Sequence, residues 1–162
     1  MRERIISGYI PGAIGRVTEL HGTYYATHWI LGLFFEAKAA TELAAFLSRF
    51  EATRDGFWVA LVDNRIVGSI TIDGMEATTR GARLRWFIIT PEYQGRGLGK
   101  QLMRTAIDFC KQARYTRVYL TTFAGLDAAR HLYEQWGFRL TQETQDNHWG
   151  KTLTEQVFEL TL

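Results

Sequence analysis

Cysteine, proline, lysine and long apolar runs are all scarce in this 162-residue chain. Its lone thiol, Cys110, permits neither an internal disulfide nor a cysteine-built zinc cluster. No metal is therefore expected, and a reducing compartment is. Cys110 closes the stretch Ala106-Ile107-Asp108-Phe109-Cys110, which has helical spacing and reads as a packed thiol rather than a nucleophile. Pro11 and Pro91 stand alone, without a Pro- or Ser-rich linker, a repeat or a low-complexity tract. With the length, this predicts a single domain over residues 1–162. Met1-Arg2-Glu3-Arg4 lacks the apolar core of a signal peptide, and Ile30 to Phe35 is too short to span a bilayer. The expectation is a cytoplasmic protein with no membrane partner. An excess of one charge is missing too, with nineteen Lys and Arg against seventeen Asp and Glu. The bases are scattered rather than gathered in the stripe of a nucleic-acid binder, so no nucleic acid is expected as partner.

What the chain has in quantity is aromatic and apolar mass: 46% hydrophobic residues, including 22 Phe, Tyr and Trp rings, enough for a sizeable core. Fifteen of the nineteen bases are arginine, a side chain suited to bidentate contact with phosphate or carboxylate. Periodicity supplies the elements. Ile5 to Ile10 reads as a strand ended by Pro11-Gly12, and Arg16 to Trp29 and Ala37 to Arg49 read as helices. Phe57 to Val62 and Ile66 to Ile72 are β-rich runs joined by Asp63-Asn64-Arg65, which suits an antiparallel hairpin. Leu84 to Ile89 is a strand stopped by Pro91, and Leu98 to Lys111 carries an apolar helical stripe. Arg117 to Phe123 is a strand, Leu126 to Trp136 a helix, and Phe138 to Glu143 and Thr152 to Leu160 are strands. The fold class is α/β with a mixed sheet, in the order β-α-α-β-β-β-α-β-α-β-β.

The most informative stretch is Pro91-Glu92-Tyr93-Gln94-Gly95-Arg96-Gly97-Leu98-Gly99-Lys100, between a buried strand and an amphipathic helix. Alternate glycines let backbone approach a ligand, and the free N–H groups and dipole of the following helix make an anion site. Two other glycine motifs fail on spacing. A dinucleotide fingerprint needs its third glycine one residue later, and a P-loop needs glycine where Gln94 stands and Ser or Thr where Gln101 stands. Gln94-x-x-Gly97-x-Gly99 after a hydrophobic strand points to a phosphate-bearing cofactor.

Through Phe87 to Gly99 and Ala129-x-x-x-Tyr133-x-x-x-Gly137-Phe138, the chain resembles the GNAT superfamily of acyl-CoA-dependent N-acyltransferases. Gly15-Arg16-Val17-Thr18-Glu19-Leu20-His21-Gly22-x-Tyr24-Tyr25 and Thr122 to Ala129 further resemble the acetyltransferase half of bacterial winged-helix-regulator fusions; the regulator itself has no counterpart in this sequence. The resemblance implies central strands that splay apart, with acetyl-CoA as cosubstrate between them. Its pantetheine arm would lie along Phe87, Ile88 and Ile89, and its pyrophosphate on the loop of Gln94, Gly95, Arg96, Gly97, Leu98, Gly99 and Lys100. A backbone N–H, that of Ile89, would polarise the thioester carbonyl. Arg96 and Lys100 are either phosphate contacts or solvated helix-start side chains.

Tyr133 matches the family tyrosine that gives a proton or hydrogen bond to the departing thiolate, and its bland alternative is a core aromatic. Arg83-Leu84-Arg85-Trp86-Phe87 offers no carboxylate as base, and Thr121-Thr122 stand where many relatives have asparagine. The base is left among Glu36, His21, His148 and Asp146. Tyr24, Tyr25, Trp29, Phe34, Phe35 and Glu36 fall where the family covers its acceptor pocket, and Trp149-Gly150-Lys151 either shapes that pocket or turns the chain. The expectation is an N-acetyltransferase acting by direct attack of a primary amine on acetyl-CoA, the amine and the oligomeric state being open, a homodimer included. The alternative is a catalytically idle CoA-binding regulatory or interaction domain.

Overall fold

The run Phe57-Trp58-Val59-Ala60-Leu61-Val62 is apolar on both sides of its period-two pattern, so it must be covered on both faces. In the computed structural model, which describes residues 2–147 and 151–162, it forms β2 (Gly56–Val62), buried throughout. Phe57, Val59 and Leu61 pack with Val17, Leu20, Leu43 and Phe46 of α1 (Ala13–Trp29) and α2 (Leu33–Ser48). Trp58, Ala60 and Val62 belong to the opposite cluster, with Leu102, Met103 and Ile107 of α3 (Leu98–Gln112). The remaining elements among the described residues are β1 (Glu3–Ser7), β3 (Arg65–Asp73), β4 (Ala82–Ile89), β5 (Arg117–Phe123), α4 (Asp127–Gln135), β6 (Arg139–Asp146) and β7 (Leu153–Thr161). They build one mixed seven-stranded sheet in the order β1-β2-β3-β4-β5-β7-β6, and the expected element order holds.

Boundaries moved where local backbone chemistry dictated. β1 ends at Ser7, three residues before the expected Ile10, because Gly8 takes φ 93°, outside the strand region. α2 starts four residues earlier than its apolar stripe suggests, with Leu33 and Phe34 exposed on its first turn. Pro91–Tyr93 is a short 3-10 turn. Asp63 and Asn64 both adopt left-handed φ (50° and 67°), the conformation a two-residue hairpin loop needs and these side chains tolerate. β6 begins at Arg139 and is exposed along nearly its whole length, a polar edge strand, while Phe138 before it is core. Cys110 is fully buried, and burial pushes its thiol up to about 12, in keeping with a packed role.

One irregularity opens the molecule. β3 and β4 pair as Ser69↔Ile88 and then Thr71↔Arg85, so Trp86 and Phe87 together oppose Ile70. Trp86 bears φ 45°, rare for a large residue, and Ser69 Oγ donates a 2.6 Å hydrogen bond to its carbonyl. Such a bulge bends the strand that carries it. β4 pairs in parallel with β5 only through Ala82↔Val118 and Arg83↔Tyr119, and beyond Arg83 the two strands share no register pairs. The sheet splits there. Ser69→Ala removes the bulge's side-chain tie, and about 1 kcal/mol of stability should go with it, a melting decrease of roughly 2 to 4 °C by calorimetry. Melting at the wild-type temperature would mean that backbone pairing alone holds the bulge.

Candidate active site

Two cavities meet in the split. The larger, a cleft of about 700 Å³, runs from the aromatic end of α1 (Tyr24, Tyr25, His28, Trp29) past β4 to the glycine loop and α4. The smaller, about 110 Å³, lies toward α1 and α2, lined by His21, Tyr25, Glu42, Arg83, Arg85 and Thr121 among others. Tyr25, Phe87, Thr122 and Tyr133 line both, so a group at this junction touches the two spaces at once.

The glycine loop has the form of a cradle. Gly95 and Gly97 take φ 78° and 86°, and a Cβ on either would meet open space rather than protein. They are glycines for backbone conformation, with room left beside them for a ligand. Gly97 caps α3 without a side-chain hydrogen bond, so the first N–H groups of the helix are left for an anion. Of the residues the sequence singled out, Phe87, Ile88, Ile89, Gln94, Gly95, Gly97, Gly99, Lys100 and Tyr133 line the large cleft. Leu98 and Arg96 do not. The Leu98 side chain is 1% exposed in the core, and the Arg96 guanidinium lies 5.1 Å from the Tyr93 ring centroid on the surface. Gln94 holds the loop to the strand, its Nε2 donating to Ile89 O at 3.0 Å.

Tyr133 is 6% exposed, with its ring against Phe87, Phe138 and Phe158 at centroid distances of 6.0 to 6.2 Å. It is both a core aromatic and a wall of the junction. Burial pushes its phenol, and that of Tyr25, above the usual tyrosine range, so both stay protonated and able to donate.

Of the proposed bases among the described residues, the fold brings one to the cavities. His21 is 6% exposed, and burial lowers its imidazole to about 4 against the opposing hydrogen bond to Val17 O. Because a carbonyl only accepts, the 2.8 Å Nδ1···Val17 O contact puts the proton on Nδ1 and leaves Nε2 as an acceptor. Glu36 is exposed and lies over Gly22, outside both cavities, and Asp146 sits at the end of the edge strand β6. His148, Trp149 and Gly150 lie outside the described residues, and Lys151 donates to Trp29 O at 3.0 Å. The carboxylate missing from β4 comes instead from α2: Glu42, unremarked in the sequence, lines the small cavity and pairs with Lys38 and Arg85. Burial works against ionisation there, yet Lys38 and Arg85 hold the Glu42 carboxyl below its ordinary range. The Lys38/Glu42 spacing on α2 was a local signal, but the Arg85 contact is tertiary.

A model of the Acetyltransferase (GNAT) family matches residues 23–138. N-acetylaspartate synthetase of Danio rerio is 30% identical over 124 residues, 76% of this chain and 44% of its own. The chain thus spans less than half the length of the curated relatives it matches. Among solved structures, an acetyltransferase of the GNAT family from Staphylococcus aureus Mu50 superposes with a TM-score of 0.78 at 18% identity, over 99% of each chain. A GNAT family acetyltransferase from Elizabethkingia anophelis with acetyl-CoA bound superposes with a TM-score of 0.67 at 15% identity, over 99% of this chain and 98% of that one. These structural likenesses show the fold.

Burial of neutral His21 makes stability depend on pH in a definite direction. Its folded pKa, about 4, lies below the ordinary 6.5, so the unfolded chain binds the extra proton first. The contribution is complete above pH 6.5 and is lost as pH falls toward 4, on the order of 3 kcal/mol in all. Denaturant titrations should show that His21→Gln has a flatter stability profile in this window; an unchanged slope would mean His21 is accessible and ordinary.

Proposed function

The chain belongs to the GNAT acetyltransferase family, and from that premise we propose that it is an N-acetyltransferase that moves the acetyl group of acetyl-CoA onto a primary amine by direct attack. The observation that carries the reading is the junction of two cavities at Tyr25, Phe87, Thr122 and Tyr133, a glycine cradle lying at the far end of one of them. A cleft of about 700 Å³ is within the range of cofactor sites. The N-terminus of α3 and the amides of Gly95 to Gly99 suit the pyrophosphate, and the edge of β4 left without β5 suits the amide-bearing arm.

When bound, acetyl-CoA supplies an activated acyl carbon whose leaving group is a thiolate. The chain's own part is to orient, exclude water and manage protons. The β4 edge aligns the donor, with the Ile89 N–H as the candidate hydrogen bond to the thioester oxygen. Tyr133 holds a proton at the junction for the departing sulfur, and the neutral His21, which lines the small cavity, offers Nε2 as a hydrogen-bond acceptor to the amine N–H while the amine's excess proton passes to water. Tyr24, Tyr25, Thr122 and Gly125 to Ala129 line the cleft wall, which supports a part for these segments in cofactor binding. We place the function in one domain spanning the chain.

Acetyl-CoA at ~100 times its dissociation constant should stabilise the fold by about 2.7 kcal/mol, a melting shift of roughly 5 to 10 °C. Gly97→Glu should abolish the shift, since its carboxylate would enter the open side of the cradle and repel the pyrophosphate, on a backbone that already disfavours a side chain. No shift for the wild type, or a full shift for the folded variant, would refute the cradle. Tyr133→Phe keeps the ring packing, so the melting shift with acetyl-CoA should persist while kcat falls by about 10² to 10⁴. Turnover near wild type, with chemistry rate-limiting, would end the proton-donor role and leave cofactor binding intact.

A further inference from the structure

The small cavity is cationic, and its charges do not balance. Arg83 and Arg85 are two apart on β4, so both point to the α1 and α2 face and both line the cavity. Two carboxylates serve this region. Asp73 is held mainly by Arg49, at 2.6 and 3.2 Å, and lies 3.9 Å from Arg85. Glu42 is shared between Lys38 and Arg85. Three cations therefore share two anions, and a fourth, Arg83, has no carboxylate partner among the described residues. Its Nε is buried without a hydrogen-bond partner, and its guanidinium carbon lies 6.0 Å from the Tyr119 ring centroid. Burial and the neighbouring Arg83 charge both pull Arg85 below its ordinary range, so the two guanidinium groups act on each other.

A buried guanidinium donor left unanswered is uncommon, because the group loses water without recovering a bond. The partner that matches it is a planar anion able to accept two parallel N–H bonds, a carboxylate above all. The same cavity is lined by the neutral imidazole of His21 and by the junction residues, among them Phe87, four positions along β4 from Arg83, where the cavity opens to the cleft proposed for the acetyl donor. Resting on the acetyltransferase reading above, we infer that the acceptor is a small amine bearing a carboxylate, an amino acid, whose carboxylate is bound by Arg83. A polyamine would bring further positive charge to two arginines, and a cavity of about 110 Å³ does not admit a folded protein surface.

The test is CoA release by the wild-type chain with saturating acetyl-CoA and matched acceptors: aspartate, glutamate and alanine, their carboxamides, the decarboxylated amines, and spermidine. Amino acids should exceed their amides and decarboxylated forms in kcat/KM by about 10²-fold or more, since a site built to bond a group rejects analogues that lack it. Arg83→Met, which keeps apolar length, should raise KM for the best amino acid by about 10²-fold while kcat and acetyl-CoA affinity stay near wild type. Arg83→Lys should recover part of the loss, a pattern a merely structural arginine would not produce. Equal use of acids and amides, or an unchanged KM in folded Arg83→Met, overturns the inference and leaves the acetyltransferase reading standing. CoA release with no amine of the panel, while acetyl-CoA still binds, overturns both.

Discussion

Every functional feature of this molecule depends on the backbone of β4 having a hydrogen-bonding edge that the protein does not fill. Buried N–H and C=O groups are ordinarily paired, and a sheet normally answers them with the next strand. Here the next strand pairs only at Ala82 and Arg83, and the bulge at Trp86, tied by Ser69 Oγ, bends the remainder away. The two cavities exist because of that divergence. The sheet stays intact on either side: β1 to β4 form one continuous antiparallel ladder and β5, β7 and β6 another. The split can thus be kept open by two separately stabilised halves rather than by any residue within it.

Layering on both faces then distributes roles. The α3 and α4 face contributes the glycine cradle and Tyr133, both anchored in the larger core through Leu98, Leu102 and Phe138. The α1 and α2 face contributes His21, Glu42 and the aromatic wall, anchored through Phe46, Leu43 and a third cluster of Leu31, Phe35, Phe123 and Leu153. A rigid scaffold around a split is what positioning demands, since a misplacement of about 1 Å can cost on the order of 10²-fold in rate.

The elements and the cradle were legible in the sequence because their causes are local. The two-sided apolar run of β2, the stripe on α3 and the spacing of Gly95, Gly97 and Gly99 each follow from neighbours within a few residues. So did the core role of Cys110. The bulge was not legible: nothing in Arg85-Trp86-Phe87 marks a left-handed tryptophan, which exists because Ser69 on another strand takes its carbonyl. Nor was the acid side of the small cavity, because Glu42 meets Arg85 across 43 residues of chain. Glu36, chosen for its place beside the aromatics, fell outside both cavities, since the start of α2 lies one full turn before the apolar stripe alone suggested. Tyr133 could be read as core or catalytic from the sequence, and the structure packs it in the core while placing it on the wall where the two cavities meet.

The site is polar at its two ends and neutral between them. At one end lie the helix N–H groups and Lys100, proposed above to take phosphate, and at the other Arg83 and Arg85, of which Arg83 is proposed to take a carboxylate. Between them the junction carries no formal charge: two protonated phenols, a phenylalanine ring and a threonine, with a histidine kept neutral by burial close by. On the proposed reaction, charges at the ends would hold the two substrates against the walls, while a neutral, poorly solvated middle would strengthen each hydrogen bond formed there. An amine entering as an ammonium ion is disfavoured in that middle, so desolvation drives it toward the uncharged form that can attack. On the proposed reaction, the same burial that denies His21 its proton would favour the uncharged amine, which is why a site with no strong base among the described residues is chemically coherent.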